Sequence, residues 1–242
     1  MEPGPVLFAR YAYPPNALGY CGPADPDGLL GAVDQGDLEE LSQRAASFTG
    51  AWPYLRAIAG ANGIADPLDR RVVDAYWVGN PMLDAVGEED LAGAAAAAAG
   101  SPADPAWAAA GTGGALAHHS FHVFAVYPWL RLLRAGREEP ALTVLDRCRI
   151  RWGTVDAVAT DTVRVRCAPL CVRQGRLVLG PQRTEEVRFG VGGIDGVGLV
   201  QGLAPGDTVS MHWDWVCERL DATRASTLQS CTLHNLAVVN DA

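Results

Sequence analysis

The sequence contains no lysine, so arginine supplies all 19 of its basic side chains. These are outnumbered by 28 aspartates and glutamates, which gives a formal net charge of −9. A nucleic-acid-binding surface needs clustered lysines and arginines that displace counterions from the phosphates. The charge balance therefore predicts that nucleic acid is not a partner of this protein.

Long apolar runs are missing as well. The longest is the alanine stretch at residues 94–99, whereas a membrane helix needs about 20 apolar residues. The opening residues MEPGPVLFARYAYPPN also lack the basic segment and apolar core of a secretory signal. We therefore expect a cytoplasmic protein with no membrane association, whose six cysteines are free thiols or metal ligands rather than disulfides.

Residues 1–140 show apolar side chains at helical spacing, with glycine and proline in the connections. In the clearest segment, Asp66 is expected as the N-cap and Pro67 as the first helical residue. Its apolar side chains then repeat along one face: Leu68, Val72, Val73, Tyr76 and Trp77. Residues 11–23 are dense in aromatics, prolines and glycines, which predicts an extended loop. The pattern as a whole predicts an all-α domain over residues 1–140.

Residues 141–242 show a different pattern. Short, β-branched and roughly alternating segments such as TDTVRVRC, RTEEVRFGV and DTVSMHW are separated by glycine, aspartate and proline. Strands of this length at this spacing predict a small barrel, which removes exposed edges by closing on itself. Asp221 is expected to cap a final helix. We therefore expect an α+β protein with a helical domain at 1–140 and a β-barrel domain with a C-terminal helix at 141–242.

Two motifs in the second half carry a resemblance to a known family. The segment CRIRWG at residues 148–153 keeps a cysteine-to-glycine spacing, and GDTVSMH at residues 206–212 keeps a histidine motif. Both are similar to motifs of the small hydrogenase assembly chaperones of the HypC/HupF type. The whole chain also resembles an uncharacterised bacterial family associated with hydrogenase gene clusters.

The resemblance implies a metal site and a role. In those chaperones the cysteine and the histidine hold an iron atom that carries cyanide and carbonyl ligands, on its way to the large subunit of a nickel-iron hydrogenase. Carried over, this makes Cys148 and His212 the iron ligands, and a thiolate with a neutral imidazole suits low-spin iron. It also implies an accessory protein without turnover, whose partners are the large-subunit precursor and the maturation scaffold protein. Positive charge on Arg147, Arg149 and Arg151 would lower the pKa of the Cys148 thiol.

The chain departs from the chaperone pattern at three points. Cys148 lies inside the chain, Trp152 stands where the family has proline, and residues 169–184 read as an insertion. On residue type alone, Cys148 is equally well interpreted as a buried thiol of the opening strand, and His212 as a hydrogen-bonded structural residue. In that case the barrel would be a non-catalytic docking module.

A second cluster of candidate residues lies in the first half, in the segment AHHSFHVF at residues 117–124. On a helix, His118 and His122 are four residues apart and point the same way, which suits two imidazoles on one metal, whereas His119 would point elsewhere. The absence of a glutamate between them excludes a metalloprotease His-Glu-x-x-His motif. Cys21 is a candidate nucleophile, or a ligand that reaches this helix, while a structural loop over the helical core would explain the same residue. An alternative function is therefore a metal-dependent enzyme that uses Cys21, His118 and His122, while polar contacts between helices would explain the same histidines.

Overall fold

The computed structural model describes residues 2–99, 113–126, 132, 138–189 and 200–241. It confirms the α+β class, since helices come first, a closed barrel follows and a long helix ends the described chain. The helices are α1 (Gly4–Ala17), α2 (Pro26–Gln35), α3 (Leu38–Ala46), α4 (Trp52–Ala61), α5 (Arg70–Trp77), α6 (Glu88–Ala98), α7 (His119–Phe121), α8 (Glu138–Cys148) and α9 (Ala222–Asp241). A 3₁₀ segment spans Pro81–Ala85, and a π-helical turn spans His122–Val126.

The strands are β1 (Arg151–Val158), β2 (Thr162–Cys167), β3 (Leu170–Arg173), β4 (Arg176–Leu179), β5 (Arg183–Arg188), β6 (Thr208–His212) and β7 (Trp215–Leu220). Five of them form a closed barrel in the order β1-β2-β5-β7-β6. Neighbours are antiparallel except at the parallel pairing of β5 with β7, where Arg188 lies opposite Trp215 and the ring closes. The interior is filled by buried valines on alternate positions: Val155, Val163, Val165, Val187 and Val209.

The insertion predicted at residues 169–184 contains a hairpin outside the barrel. Strands β3 and β4 form a separate two-stranded sheet. Leu170 and Leu177 pack in one cluster with Leu236 and Val239 of α9. The hairpin therefore fixes the C-terminal helix against the barrel without changing the barrel itself.

The helical face predicted around α5 is buried as expected. The start of the helix is three residues later than predicted, because Asp69 is the N-cap and accepts from the Arg71 amide at 2.9 Å. Asp66 instead accepts from the Leu68 amide at 2.8 Å and closes the preceding turn. Both aspartates satisfy a local amide, so the capping pattern alone did not distinguish them.

Residues 11–17 are helical, and the extended loop predicted from residue 11 is wrong over this range. Helix α1 continues through Pro14 and Pro15, both of which are buried. The prolines lie in its last turn, and one face of the helix is packed in the core through Leu7, Phe8 and Tyr11. Tertiary packing thus outweighs the local cost of proline in a helix.

Cys148 is also in a different element from the one predicted. It is the last residue of α8, whose buried residues Ala141, Val144, Leu145 and Cys148 follow helical spacing. The barrel begins afterwards, at Arg151. Helix α8 spans the predicted division at residue 140, and buried side chains of the helical part and the barrel share one continuous core. No helix in the described part of the chain has the length and apolarity to cross a membrane.

Candidate metal site

The turn that follows His212 brings the two candidate ligands together. His212 ends β6, and the next residue, Trp213, has a φ of 53°. This left-handed conformation is costly for a bulky side chain and persists only where the surroundings hold it. The Trp213 amide donates to the Arg147 carbonyl at 2.8 Å, and its carbonyl accepts from the Arg151 guanidinium. These two hydrogen bonds join the turn to a residue before Cys148 and to a residue after it. The Cys148 thiol and the His212 ring therefore line the same cavity.

A backbone carbonyl orients the His212 ring. Its Nδ1 lies 2.6 Å from the Tyr11 carbonyl oxygen, and a carbonyl only accepts, so Nδ1 carries the proton. The lone pair is then on Nε2, which is buried and has no hydrogen-bond partner of good geometry within the described residues. Metal-binding histidines typically donate from one ring nitrogen to a carbonyl and bind through the other.

The Cys148 thiol is buried at the end of α8. Burial raises its pKa well above the usual range, the nearby Cys21 adds to that rise, and the indole N–H of Trp213 acts in the opposite direction. The thiol is therefore protonated until a metal displaces its proton.

The expectation that neighbouring arginines lower the pKa of this thiol is wrong. Each of their guanidinium groups is paired with a carboxylate instead. Arg147 is paired with Asp214, Arg149 with Asp146 at 2.9 Å and Arg151 with Glu185 at 2.6 Å. The side chains of Arg149 and Arg151 are fully buried, and buried charges of this kind need such partners. These ion pairs hold the start of the barrel in place and leave the thiol in neutral surroundings.

His119 provides a third donor. Its Nε2 donates to the Cys148 carbonyl at 2.9 Å, and its Nδ1 accepts from the Tyr76 hydroxyl at 3.1 Å. Both ring nitrogens are therefore occupied, and Nδ1 would bind a metal only after the Tyr76 hydroxyl turns away. The ring packs edge-on against His212, with 5.1 Å between the ring centroids. Burial, and then the neighbouring His212 and His122, hold the pKa of His119 well below its ordinary value. The ring is therefore neutral at physiological pH.

The ligand atoms of His119, Cys148 and His212 all lie within 4.8 Å of one another. Donors of one tetrahedral ion, at bond lengths of about 2.0 to 2.3 Å, are separated by roughly 3.5 Å. A shared metal would therefore require the ligand atoms to move together by roughly 1 Å. One sulfur and two imidazoles suit zinc, copper or iron rather than magnesium or calcium.

These donors border a small cavity of about 30 Å³. Cys21 and His122 also line it, together with the aromatic rings of Phe48, Tyr76 and Trp77. Burial raises the pKa of Cys21 to about 12 and lowers that of His122 to about 4, so both side chains are neutral. A space of this size accommodates a metal ion or one to two water-sized groups. The cavity therefore has room for small ligands that the protein does not supply.

The structure changes the expected roles of the histidine cluster. His118 is the N-cap of α7, and its Nδ1 accepts from the Ser120 amide at 3.1 Å. The helix thus begins at His119, and the π-helical turn follows at His122. Regular i, i+4 geometry therefore does not apply, and it is His119 and His122 that reach the cavity. The sequence contains no signal for this choice, because histidine is not a typical N-cap residue.

Comparison with known proteins gives a family without a described activity. No curated protein and no solved structure matches this chain. One family model does match it, over residues 1–242. The chain belongs to this family, which is described as a family of unknown function (DUF6390).

Proposed function

We propose that the protein carries a soft metal fragment, bound by Cys148 and His212 with His119 as a third donor. The observation that supports this proposal is the group of three buried donor atoms within 4.8 Å of one another, beside a cavity with room for further ligands. The resemblance to the HypC/HupF chaperones adds the identity of the cargo. In this proposal, it is iron with two cyanides and a carbonyl, delivered to the large subunit of a nickel-iron hydrogenase. Three diatomic ligands exceed the present volume of about 30 Å³, so the proposal requires the cavity to widen when the cargo binds.

The number of donors favours a carrier over a structural metal site. Structural zinc sites are closed by four protein ligands, whereas sites with three leave a position for an exogenous group. Here the neutral donors lie among aromatic rings, which exclude water and favour a soft, low-charge fragment over a hydrated ion. The protein would act stoichiometrically, with the large-subunit precursor and the maturation scaffold protein as its partners.

A metal-dependent enzyme is the second candidate, and one observation favours it. Cys21 and His122 line the same cavity as Cys148 and His212. The two sets of candidate residues therefore belong largely to one site, and the Cys21 thiol is available as a further ligand once a metal displaces its proton. In this second proposal, the metal stays in the protein and acts on a small substrate.

The test is anaerobic purification of the protein with its maturation partners, followed by infrared spectroscopy and by cobalt(II) titration of the isolated protein. We expect cyanide and carbonyl stretching bands and a cobalt-thiolate absorption band in the wild type, and loss of both in Cys148→Ser. The matched control is Cys231→Ser, since Cys231 is buried to a similar degree but lies in α9. It should keep both signals.

The outcomes separate the candidates. Cobalt binding without diatomic bands, in a protein that copurifies with a stoichiometric metal, would favour the enzyme. Absence of both signals in the wild type would contradict metal binding. If hydrogenase maturation then still required the protein, its role would be that of a docking module.

A further inference from the structure

Two adjacent prolines in the last turn of α1 alter its hydrogen bonding. In an α-helix the amide of each residue donates to the carbonyl four residues earlier. Proline has no amide hydrogen, and its ring pushes that earlier carbonyl away from the helix axis. Pro14 therefore cannot bond to the Arg10 carbonyl, and Pro15 cannot bond to the Tyr11 carbonyl.

The Tyr11 carbonyl is bonded across to the barrel instead. It accepts from Nδ1 of His212 at 2.6 Å, a short contact between a helix of the first half and a strand of the second. The Tyr11 side chain holds the same junction from its other end, since its hydroxyl bonds Ser210 of β6 at 2.8 Å and Glu218 of β7 at 3.1 Å. The carbonyl that meets His212 is thus fixed relative to the barrel.

We propose that Pro15 is a positioning residue for the metal site. By removing one amide hydrogen and turning the Tyr11 carbonyl outward, it keeps the proton of His212 on Nδ1 and directs the Nε2 lone pair into the cavity that Cys148 and His119 share. The metal-binding part of this inference rests on the proposed function, whereas the tautomer of His212 does not.

The adjacent proline provides a matched control. Pro14 is also buried in the same turn and has the same effect on helix propensity. The carbonyl that it frees belongs to Arg10, four residues before it, and not to the residue that bonds His212. Among the two, Pro15 is also the one that lines the cavity. A role limited to ending the helix would be shared by both prolines, but a role in orienting His212 would belong to Pro15.

The first measurement is the tautomer of His212 in the metal-free protein, from two-bond ¹H–¹⁵N correlation spectra. The chain has five histidines, so the His212 signals are identified by their loss in His212→Gln. In the wild type and in Pro14→Ala we expect the Nδ1-protonated form. In Pro15→Ala the restored amide competes for the Tyr11 carbonyl, and a mixture with the Nε2-protonated form should result.

The second measurement is cobalt(II) affinity by absorption titration. Loss of a hydrogen bond that orients a metal-binding histidine weakens binding by about 10- to 100-fold. We expect roughly a tenfold weaker affinity in Pro15→Ala and an affinity within about twofold of the wild type in Pro14→Ala.

The two measurements can fail separately. An unchanged His212 tautomer in Pro15→Ala would overturn the positioning role, and so would equal tautomer shifts in the two proline variants. If the wild type binds no cobalt, the proposed function fails, and the tautomer measurement still decides the role of Pro15. Thermal melts of both variants establish that each is folded before either result is interpreted.

Discussion

His212 and His119 face each other with 5.1 Å between their ring centroids, but the two parts of the chain place them by different means. His212 ends β6 just after a register shift between Ser210 and Met211, and its pairing with Trp215 across a tight turn fixes which way its ring points. His119 is the first residue of a three-residue helix that gives way to a π-helical turn. Strand register positions one donor, whereas irregular backbone and aromatic packing position the other.

The two sides also handle charge differently. Close to Cys148, the barrel side has buried arginines that are each paired with a carboxylate. The helical side has histidines that burial keeps neutral, with the pKa of His118 and that of His122 both lowered to about 4. The buried charges near this site therefore pair with one another and hold the start of the barrel in place, while the groups that face the cavity are uncharged.

The largest loss of stability should come from breaking the buried ion pair on the barrel side. Arg151→Met removes the guanidinium that bonds Glu185 at 2.6 Å and the Trp213 carbonyl. Among the described residues, Glu185 then keeps only Arg183 at 2.9 Å and Arg147 at 3.8 Å, and the buried Trp213 carbonyl loses its donor, so we expect a loss of about 3 kcal/mol in the free energy of unfolding. Urea denaturation followed by tryptophan fluorescence measures this loss.

The control is an arginine on the outside of the same barrel. Arg166 is half-exposed and pairs with Asp156 at 3.1 Å, and exposed pairs contribute less than about 1 kcal/mol. Arg166→Met should therefore leave the unfolding curve nearly unchanged. Equal losses in the two variants would contradict the structural role of the buried pair.

Acid titration should reveal how much the same ion pair contributes to the free energy of unfolding. Burial raises the pKa of Glu185, but Arg151 and the other nearby guanidinium groups outweigh burial and lower it to about 2. A carboxylate with a lowered pKa stabilises the fold above its unfolded pKa of about 4.3, and this stabilisation is lost as the pH falls toward 2. Glu185→Gln should cost about 2 kcal/mol at neutral pH and remove that part of the acid dependence.

The measurement is the free energy of unfolding from pH 7 down to pH 3 in each protein. Glu186→Gln is the matched control, because Glu186 follows directly in β5 and is exposed. A curve for Glu185→Gln parallel to that of the wild type would argue against the lowered pKa.

The helical side is tested by substituting its two adjacent histidines, His118 and His119, one at a time. His119→Gln keeps an amide donor for the Cys148 carbonyl but removes the imidazole lone pair, so cobalt affinity should fall about tenfold or more. His118→Asn keeps an oxygen that accepts from the Ser120 amide, which preserves the helix cap. Its affinity should match that of the wild type. The reverse order, measured by the same titration, would restore the expectation that His118 and His122 act as a pair.

The sequence predicted the barrel side well and the helical side only in outline. The alternation in β2 is a local pattern with a period of two residues, and its burial and the closed barrel bear out that prediction. The end of α8 was harder, because the β-branched residues before Cys148 fit a strand as well as a helix. Their burial at helical spacing depends on contacts with β3 and the π-helical turn, neither of which is adjacent along the chain.

His119 and the prolines of α1 show why the rest was out of reach. Whether His118 or His119 faces the cavity depends on the residue at which a short helix begins, and no capping residue marks it. Pro14 and Pro15 indicate a loop by local rules, yet they are helical because the core holds the rest of α1. In both cases tertiary contacts override local preference, and both lie at the candidate site.

The smallest effect should come from an aromatic contact between the loop after α1 and the turn after β6. Tyr20 is about half-exposed, and its ring stacks on Trp213 with 4.1 Å between centroids. Aromatic pairs contribute about 0.5 to 1.5 kcal/mol, and the exposed partner places this pair near the lower end. Tyr20→Ala should therefore lower the free energy of unfolding by about 0.5 kcal/mol, measured in urea, whereas Tyr20→Phe keeps the ring and should change nothing. A loss above about 2 kcal/mol in Tyr20→Ala would mean that the helical side, and not only the barrel side, holds the strained turn beside His212.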